Sequence, residues 1–226
     1  FAMHPITLPQ DVQDRVIARR GKLHIYEEID PKRTALVVID MQNIFLEPGA
    51  LAETPIAREI VPSINRLAEA CRAAGMAVAW VQSAITDQDG EDYWPGLLAH
   101  LNTKERAGSF LEWLKAGSHG HAIWSELDFK EDDLYAKKNR YSAFLPGAGP
   151  LGDMLRERNI DTVIITGTLT NVCCESSARD AMMTDFKTIM VSDGNACLRD
   201  DEHLAALSNV LQVFGDVFTT DELVNI

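Results

Sequence analysis

Basic residues are scarce in this chain. Twenty-one lysines and arginines stand against 34 aspartates and glutamates, a formal net charge of −13 over 226 residues. That deficit excludes nucleic acid and an anionic membrane surface as expected partners, because both are held by basic patches. Long apolar runs are missing as well. No stretch approaches the ~20 residues that cross a bilayer, and the first residues lack the cationic-then-hydrophobic pattern of a secretory signal. Only four cysteines occur, Cys71, Cys173, Cys174 and Cys197, too few and too unevenly spaced for a disulfide framework. There is no CxxC and no cysteine–histidine pair at zinc spacing. The six histidines are scattered, and the one close pair, His119-Gly120-His121, reads as a surface loop around a flexible glycine. The expected setting is cytoplasmic, with reduced thiols.

What is present is a core. Hydrophobic residues make up 46% of the chain and charged ones 24%, which suits one well-packed domain over residues 1–226. Residues 34–39 are a continuous apolar run, as expected of a strand buried on both faces. Pro55 opens a helical pattern through Ile60, Ile64, Leu67 and Cys71 that Gly75 ends. Residues 76–82 read as a second strand, 133–138 as a weaker third, 151–158 as a helix and 162–166 as a strong strand. A further strand at 187–191, a helix at about 200–211 and a short strand near 213–218 follow. Such alternation predicts a three-layer α/β/α fold with a mostly parallel, doubly wound sheet of about six strands. Residues 1–33 stand outside it as an N-terminal extension. Residues 85–132 read as an insertion carrying a helix near 105–114, in which Trp94, Phe110, Trp113 and Trp124 form a lid, a subunit contact or a satellite core.

Ligands of open α/β sheets bind outside the carboxyl ends of the strands. Asp40, Gln82, Lys138 and Cys173 are all placed there. Around Cys173 the apolar run 163–165 breaks at Gly167, turns through small polar residues and enters a helix marked by Ala178, Ala181 and Met182. A thiol at a helix start feels partial positive charge from unpaired backbone N–H groups, which favours thiolate, and the same groups can hold an oxyanion. The bland reading is a small apolar residue capping a buried helix, and the turn chemistry tips the balance toward a nucleophile. No histidine is placed to act as its base. Asp40, directly after five apolar residues, can take a thiol proton in a low-dielectric pocket, with Lys138 orienting it. A lone aspartate at a strand end is as often a turn former or a helix cap.

Three segments then carry a resemblance. Val37-Val38-Ile39-Asp40-Met41-Gln42-Asn43-Ile44-Phe45, Lys138-Asn139-Arg140-Tyr141-Ser142-Ala143-Phe144 and Gly167-Thr168-Leu169-Thr170-Asn171-Val172-Cys173 resemble, in order and approximate spacing, the signatures of the isochorismatase-like cysteine hydrolases. The resemblance runs from about Thr34 to the C-terminus, with 85–132 poorly matched. It implies an Asp40–Lys138–Cys173 triad, a cis peptide between Thr168 and Leu169, and an oxyanion hole from the Leu169 and Cys173 amides. It selects Cys173 over Cys174 and Lys138 over Lys137. Cys173 places the chain among amide-hydrolysing members rather than those that cleave isochorismate. Residues 82–89 hold no histidine where nicotinamidases typically carry an Asp-x-His metal cluster. The implied substrate is a small ureide or carbamoyl compound of the ureidoacrylate, N-carbamoyl amino acid or biuret–triuret type, with Asn43, Gln82 and Tyr141 as candidates to bind it. No metal and no organic cofactor is expected, and the expected assembly is a homo-oligomer, dimer or tetramer. The alternatives are a nicotinamidase-like amidase, a redox switch using Cys173 and Cys174, and a non-catalytic binding protein.

Overall fold

The computed structural model describes residues 2–225. Six strands form one sheet in the order β3-β2-β1-β4-β5-β6, with every neighbouring pair parallel. They are β1 (Thr34–Ile39), β2 (Ala77–Ser83), β3 (Leu134–Lys138), β4 (Thr162–Thr168), β5 (Lys187–Ala196) and β6 (Asp216–Phe218). The helices are α1 (Gln10–Arg20), α2 (Asn43–Leu46), α3 (Val61–Ala74), α4 (Lys104–Leu114), α5 (Leu151–Arg156), α6 (Glu175–Met183), α7 (Asp200–Asn209) and α8 (Thr220–Val224).

The apolar runs 35–39 of β1 and 163–165 of β4 follow from the two buried faces of these central strands. Along β1, Ala35, Val37 and Ile39 enter one core while Leu36 and Val38 enter the other, the two-residue alternation of a pleated strand. The first core is closed by α1, α5, α6 and α7, and the second by α3 and α8. Each fully buried Leu or Ile contributes roughly 1.5–3 kcal/mol relative to exposure. Helix α3 repeats Val61, Ile64, Leu67, Ala68 and Cys71 on its buried face and ends at Gly75, whose φ of 83° is the left-handed cap that stops a helix.

From β1 the chain winds outward through β2 to β3, then returns to β4 beside β1 and winds the other way. The reversal opens a crevice beyond the carboxyl ends of β1 and β4. Gly167 makes the close approach there possible: a Cβ on it would sit 2.0 Å from the Ile39 carbonyl oxygen.

Two features add to the sequence reading, the extension and the insertion, and two depart from it, the last strand and the histidine pair; each has a physical cause. The N-terminal extension contains α1, whose buried residues are only Val12 and Val16 on an otherwise polar helix. The last strand is three residues long, because 210–214 continue α7 as a wide turn and Val213 faces solvent. The insertion builds a third core around Ile44, Ile85, Leu97, Leu98, Ala107 and Leu114, against which Trp94, Phe110 and Trp113 pack, while Trp124 joins the α3 side. Finally, His119-Gly120-His121 is only partly a surface loop. His119 is exposed but His121 is 7% exposed, because residues 119–123 are drawn under α2.

Candidate active site

Residue 40 leaves β1 with φ 53°, a left-handed conformation that aspartate tolerates better than most side chains. The turn buries the carboxylate completely, and three donors meet it. The Ser83 amide (3.0 Å) and hydroxyl (2.9 Å) donate to Oδ1, and Lys138 Nζ donates to Oδ2 at 2.8 Å. Lys138 Nζ also donates to Ser83 Oγ at 2.7 Å and to the Arg140 carbonyl at 3.1 Å, which uses all three of its protons. Ser83 faces Lys138 in the β2–β3 register, so one serine bridges the strand that separates Lys138 from Asp40. Along β3, Lys137 is exposed and Lys138 buried, as alternation requires.

Cys173 lies in the wide turn Thr170–Cys174 that leads into α6. Its thiol lies beside Asp40 and Lys138, close enough for both charges to act on it. Burial, then the Asp40 charge, push the thiol pKa well up, against the pull of Lys138. The helix start therefore does not produce a resting thiolate, contrary to the sequence expectation: loss of water outweighs the backbone partial charges. The same neighbours act in the other direction on Lys138. Burial lowers its pKa, but Asp40 and Cys173 outweigh burial and the ammonium is held. The resting arrangement is a thiol poised beside a buried ion pair. Cys174 is turned inward, with its sulfur 3.9 Å from the Thr166 carbonyl, and all four cysteines are free thiols.

Above Cys173 lies a cavity of about 430 Å³. Lys138, Cys173, Leu169 and Tyr141 line it, whereas Asp40 lies beneath. The peptide bond between Thr168 and Leu169 is cis.

The residues expected to read the substrate divide. Tyr141 lines the cavity, packed edge-on to Trp94 at 4.6 Å between ring centroids. Asn43 and Gln82 do not line it. Asn43 donates to the His119 carbonyl at 2.9 Å and Gln82 to the His121 carbonyl at 2.8 Å, where Gln42 also donates at 2.9 Å. Their amides fasten residues 119–123 to the ends of β1 and β2, because that segment brings unpaired carbonyls into the interior. Ser83, Arg106 and Arg140, none singled out from the sequence, are at the cavity instead.

Residues 34–222 match the isochorismatase domain. The chain belongs to the isochorismatase-like family. RutB, a ureidoacrylate amidohydrolase of Klebsiella pneumoniae subsp. pneumoniae, is 32% identical over 201 residues, 82% of this chain and 83% of that protein. A cysteine hydrolase from Pseudomonas syringae pv. phaseolicola superposes with a TM-score of 0.79 at 30% identity, over 90% of this chain and 95% of the other. An N-carbamoylsarcosine amidase from Thermoplasma acidophilum superposes with a TM-score of 0.67 at 25% identity, over 84% and 97%.

Behind the turn that carries Cys173 lies a second buried polar group. Thr170 Oγ1 and His203 Nδ1 are 2.9 Å apart, and His203 Nε2 lies 3.1 Å from the Ser192 carbonyl. The His4 ring stacks on His203 with centroids 4.4 Å apart. His4 Nδ1 lies 2.6 Å from Asp200, and its Nε2 accepts from the Cys197 amide at 3.1 Å. The ligand atoms of His4, Cys197 and His203 lie within 4.8 Å of one another. Every ring nitrogen has a hydrogen-bond partner, and the group props the turn that carries Cys173.

Burial first, then the neighbouring His4, lower the His203 pKa to about 4 from an ordinary 6.5. Between those values the unfolded chain takes up a proton that the folded chain refuses, so stability falls as pH drops from 6.5 toward 4. The loss is on the order of 3 kcal/mol. Urea midpoints measured across that window should fall more steeply for the wild type than for His203→Gln. Parallel curves would assign the acid sensitivity elsewhere.

Proposed function

We propose that this chain is a cysteine-dependent amidohydrolase, a hydrolase of C–N bonds in a small ureido or carbamoyl compound, acting through Asp40, Lys138 and Cys173. The observation that carries this reading is a thiol set beside a buried carboxylate–ammonium pair, at a cavity that the cysteine, and not the aspartate, lines. The named activities of RutB and of the carbamoylsarcosine amidase support the class of bond.

Asp40 removes the Cys173 proton as the sulfur attacks the carbonyl carbon, so the thiolate exists only as the new bond forms. The Leu169 and Cys173 amides are the proposed donors to the resulting oxyanion. Collapse of the tetrahedral adduct breaks the C–N bond, and Asp40 returns its proton to the departing nitrogen. An acyl or carbamoyl group then remains on sulfur. Water attacks that carbon while Asp40 takes a proton from it, and the second collapse hands the proton back to the leaving sulfur. Lys138 keeps the carboxylate oriented through both halves.

Ammonia release should be measured over a panel of ureides, carbamoyl amino acids and nicotinamide, with and without prior dialysis against a strong chelator. The expected result is hydrolysis of a ureide with a higher kcat/KM than nicotinamide and no effect of the chelator. Nicotinamide as the best substrate, or activity lost on chelation and restored by zinc, would overturn the reading.

A further inference from the structure

Charges at the cavity cancel in pairs, with two exceptions. Lys138 is paired with Asp40 at 2.8 Å and Glu53 with Arg58 at 2.9 Å. Arg106 and Arg140 also line the cavity, and neither forms an ion pair among the described residues. In a chain with 13 more acidic than basic residues, an arginine without a carboxylate is not the default.

Arg140 is the better placed of the two. It follows Lys138 by two residues, and its own carbonyl accepts from Lys138 Nζ. The half-buried side chain lies over Trp94, with Cζ 5.3 Å from the ring centroid. Its Nη1 donates to the carbonyl (2.8 Å) and side-chain oxygen (3.2 Å) of Asn139. Asn139 is held in turn by the Asp92 carboxylate, which accepts from its Nδ2 at 2.8 Å. Nε and Nη2 have no acceptor among the described residues. A guanidinium fixed along one edge and stacked on an indole presents its remaining donors in a geometry suited to a carboxylate. Arg106 is more exposed, lies over Phe110 at 5.2 Å and donates only to the Leu51 carbonyl.

Much of the remaining lining is apolar. Phe45, Ile85, Trp94, Leu97, Phe110 and Leu114 contribute to it. Small polar ureides such as biuret would leave such walls unfilled and the arginines unpaired.

We infer that the substrate is a carboxylate-bearing ureide or carbamoyl amide with a bulky apolar body, its carboxylate held by Arg140. This rests on the amidohydrolase reading for the reacting group, and deepens it by naming charge and size. The site then disfavours neutral ureides, because Arg140 would lose water without gaining a partner.

N-carbamoylphenylalanine and 2-phenylethylurea differ only by the carboxylate and so form a matched pair. Binding of each to Cys173→Ala, read by calorimetry, separates recognition from chemistry. The acid should bind about 30-fold or more tightly than the urea. Adding Arg140→Met should remove most of that ratio, and Arg140→Lys should restore part of it. Equal binding of acid and urea, equal weakening of both by Arg140→Met, or no binding of the acid overturns the carboxylate site. Turnover by the wild-type enzyme tests the other half. Binding without hydrolysis of any ureide would overturn the amidohydrolase reading and leave the anion site standing, whereas hydrolysis of the urea in preference to the acid would do the reverse.

Discussion

Cys173→Ala is expected to lower ammonia release by ~10⁴-fold or more, since it removes the proposed nucleophile outright. Binding and fold should survive, because the side chain is small and 6% exposed at the cavity floor. Cys174→Ala should keep most of the activity. The adjacent thiol is fully buried and turned toward the Thr166 carbonyl, so its loss opens a small void rather than disarming the site. Intact-mass spectrometry of the enzyme quenched during turnover would show the acyl or carbamoyl adduct on wild type and on Cys174→Ala. An active Cys173→Ala enzyme, or an adduct mapped to Cys174, would reassign the nucleophile.

The second large effect is on stability. Among the described residues Lys138 is the only formal positive charge bonded to the Asp40 carboxylate, so Lys138→Met leaves a buried anion with the Ser83 amide and hydroxyl. Breaking one half of a buried pair typically costs about 3–5 kcal/mol. Urea unfolding should register a loss of that size, and activity should vanish with it. Asp40→Asn combined with Lys138→Met should recover much of the stability, since no charge is then stranded, and none of the activity. Single and double variants of equal stability would show that the pair is not coupled as the 2.8 Å contact implies.

Legibility in the sequence followed the range of each interaction. Strands β1 and β4 are buried on both faces, so burial writes residues 35–39 and 163–165 as apolar runs; Asp40 is conspicuous where the first stops, and Cys173 in the small polar turn that follows the second. Helix α1 offers only Val12 and Val16 as a buried face, too thin a signal against its charged neighbours. Asn43 and Gln82 have the right chemistry for a ureide, but the carbonyls they meet arrive from residues 119 and 121, in a segment with no periodic pattern. Ser83 matters through its register with Lys138, which needs the sheet to be paired before it can be seen. The thiol shows the same limit in energetic form. A helix start is visible locally, whereas the desolvation that outweighs it exists only after the chain has closed around residue 173.

The glutamine and asparagine amides that fasten residues 119–123 have a wider meaning. They join two pieces of chain with different jobs. The floor, at the ends of β1, β3 and β4, holds Asp40, Lys138 and Cys173 together with Arg140. The roof, contributed largely by residues 85–114, supplies Trp94, Phe110 and Arg106, and the fastened segment 119–123 that follows it is tied down beside Asp40 rather than through it. Chemistry and the shape of the apolar body are thereby separable in this molecule: the roof can be rewritten to admit a different body while the floor, Arg140 included, keeps its geometry, which makes 85–114 the segment to exchange when a differently shaped substrate is wanted.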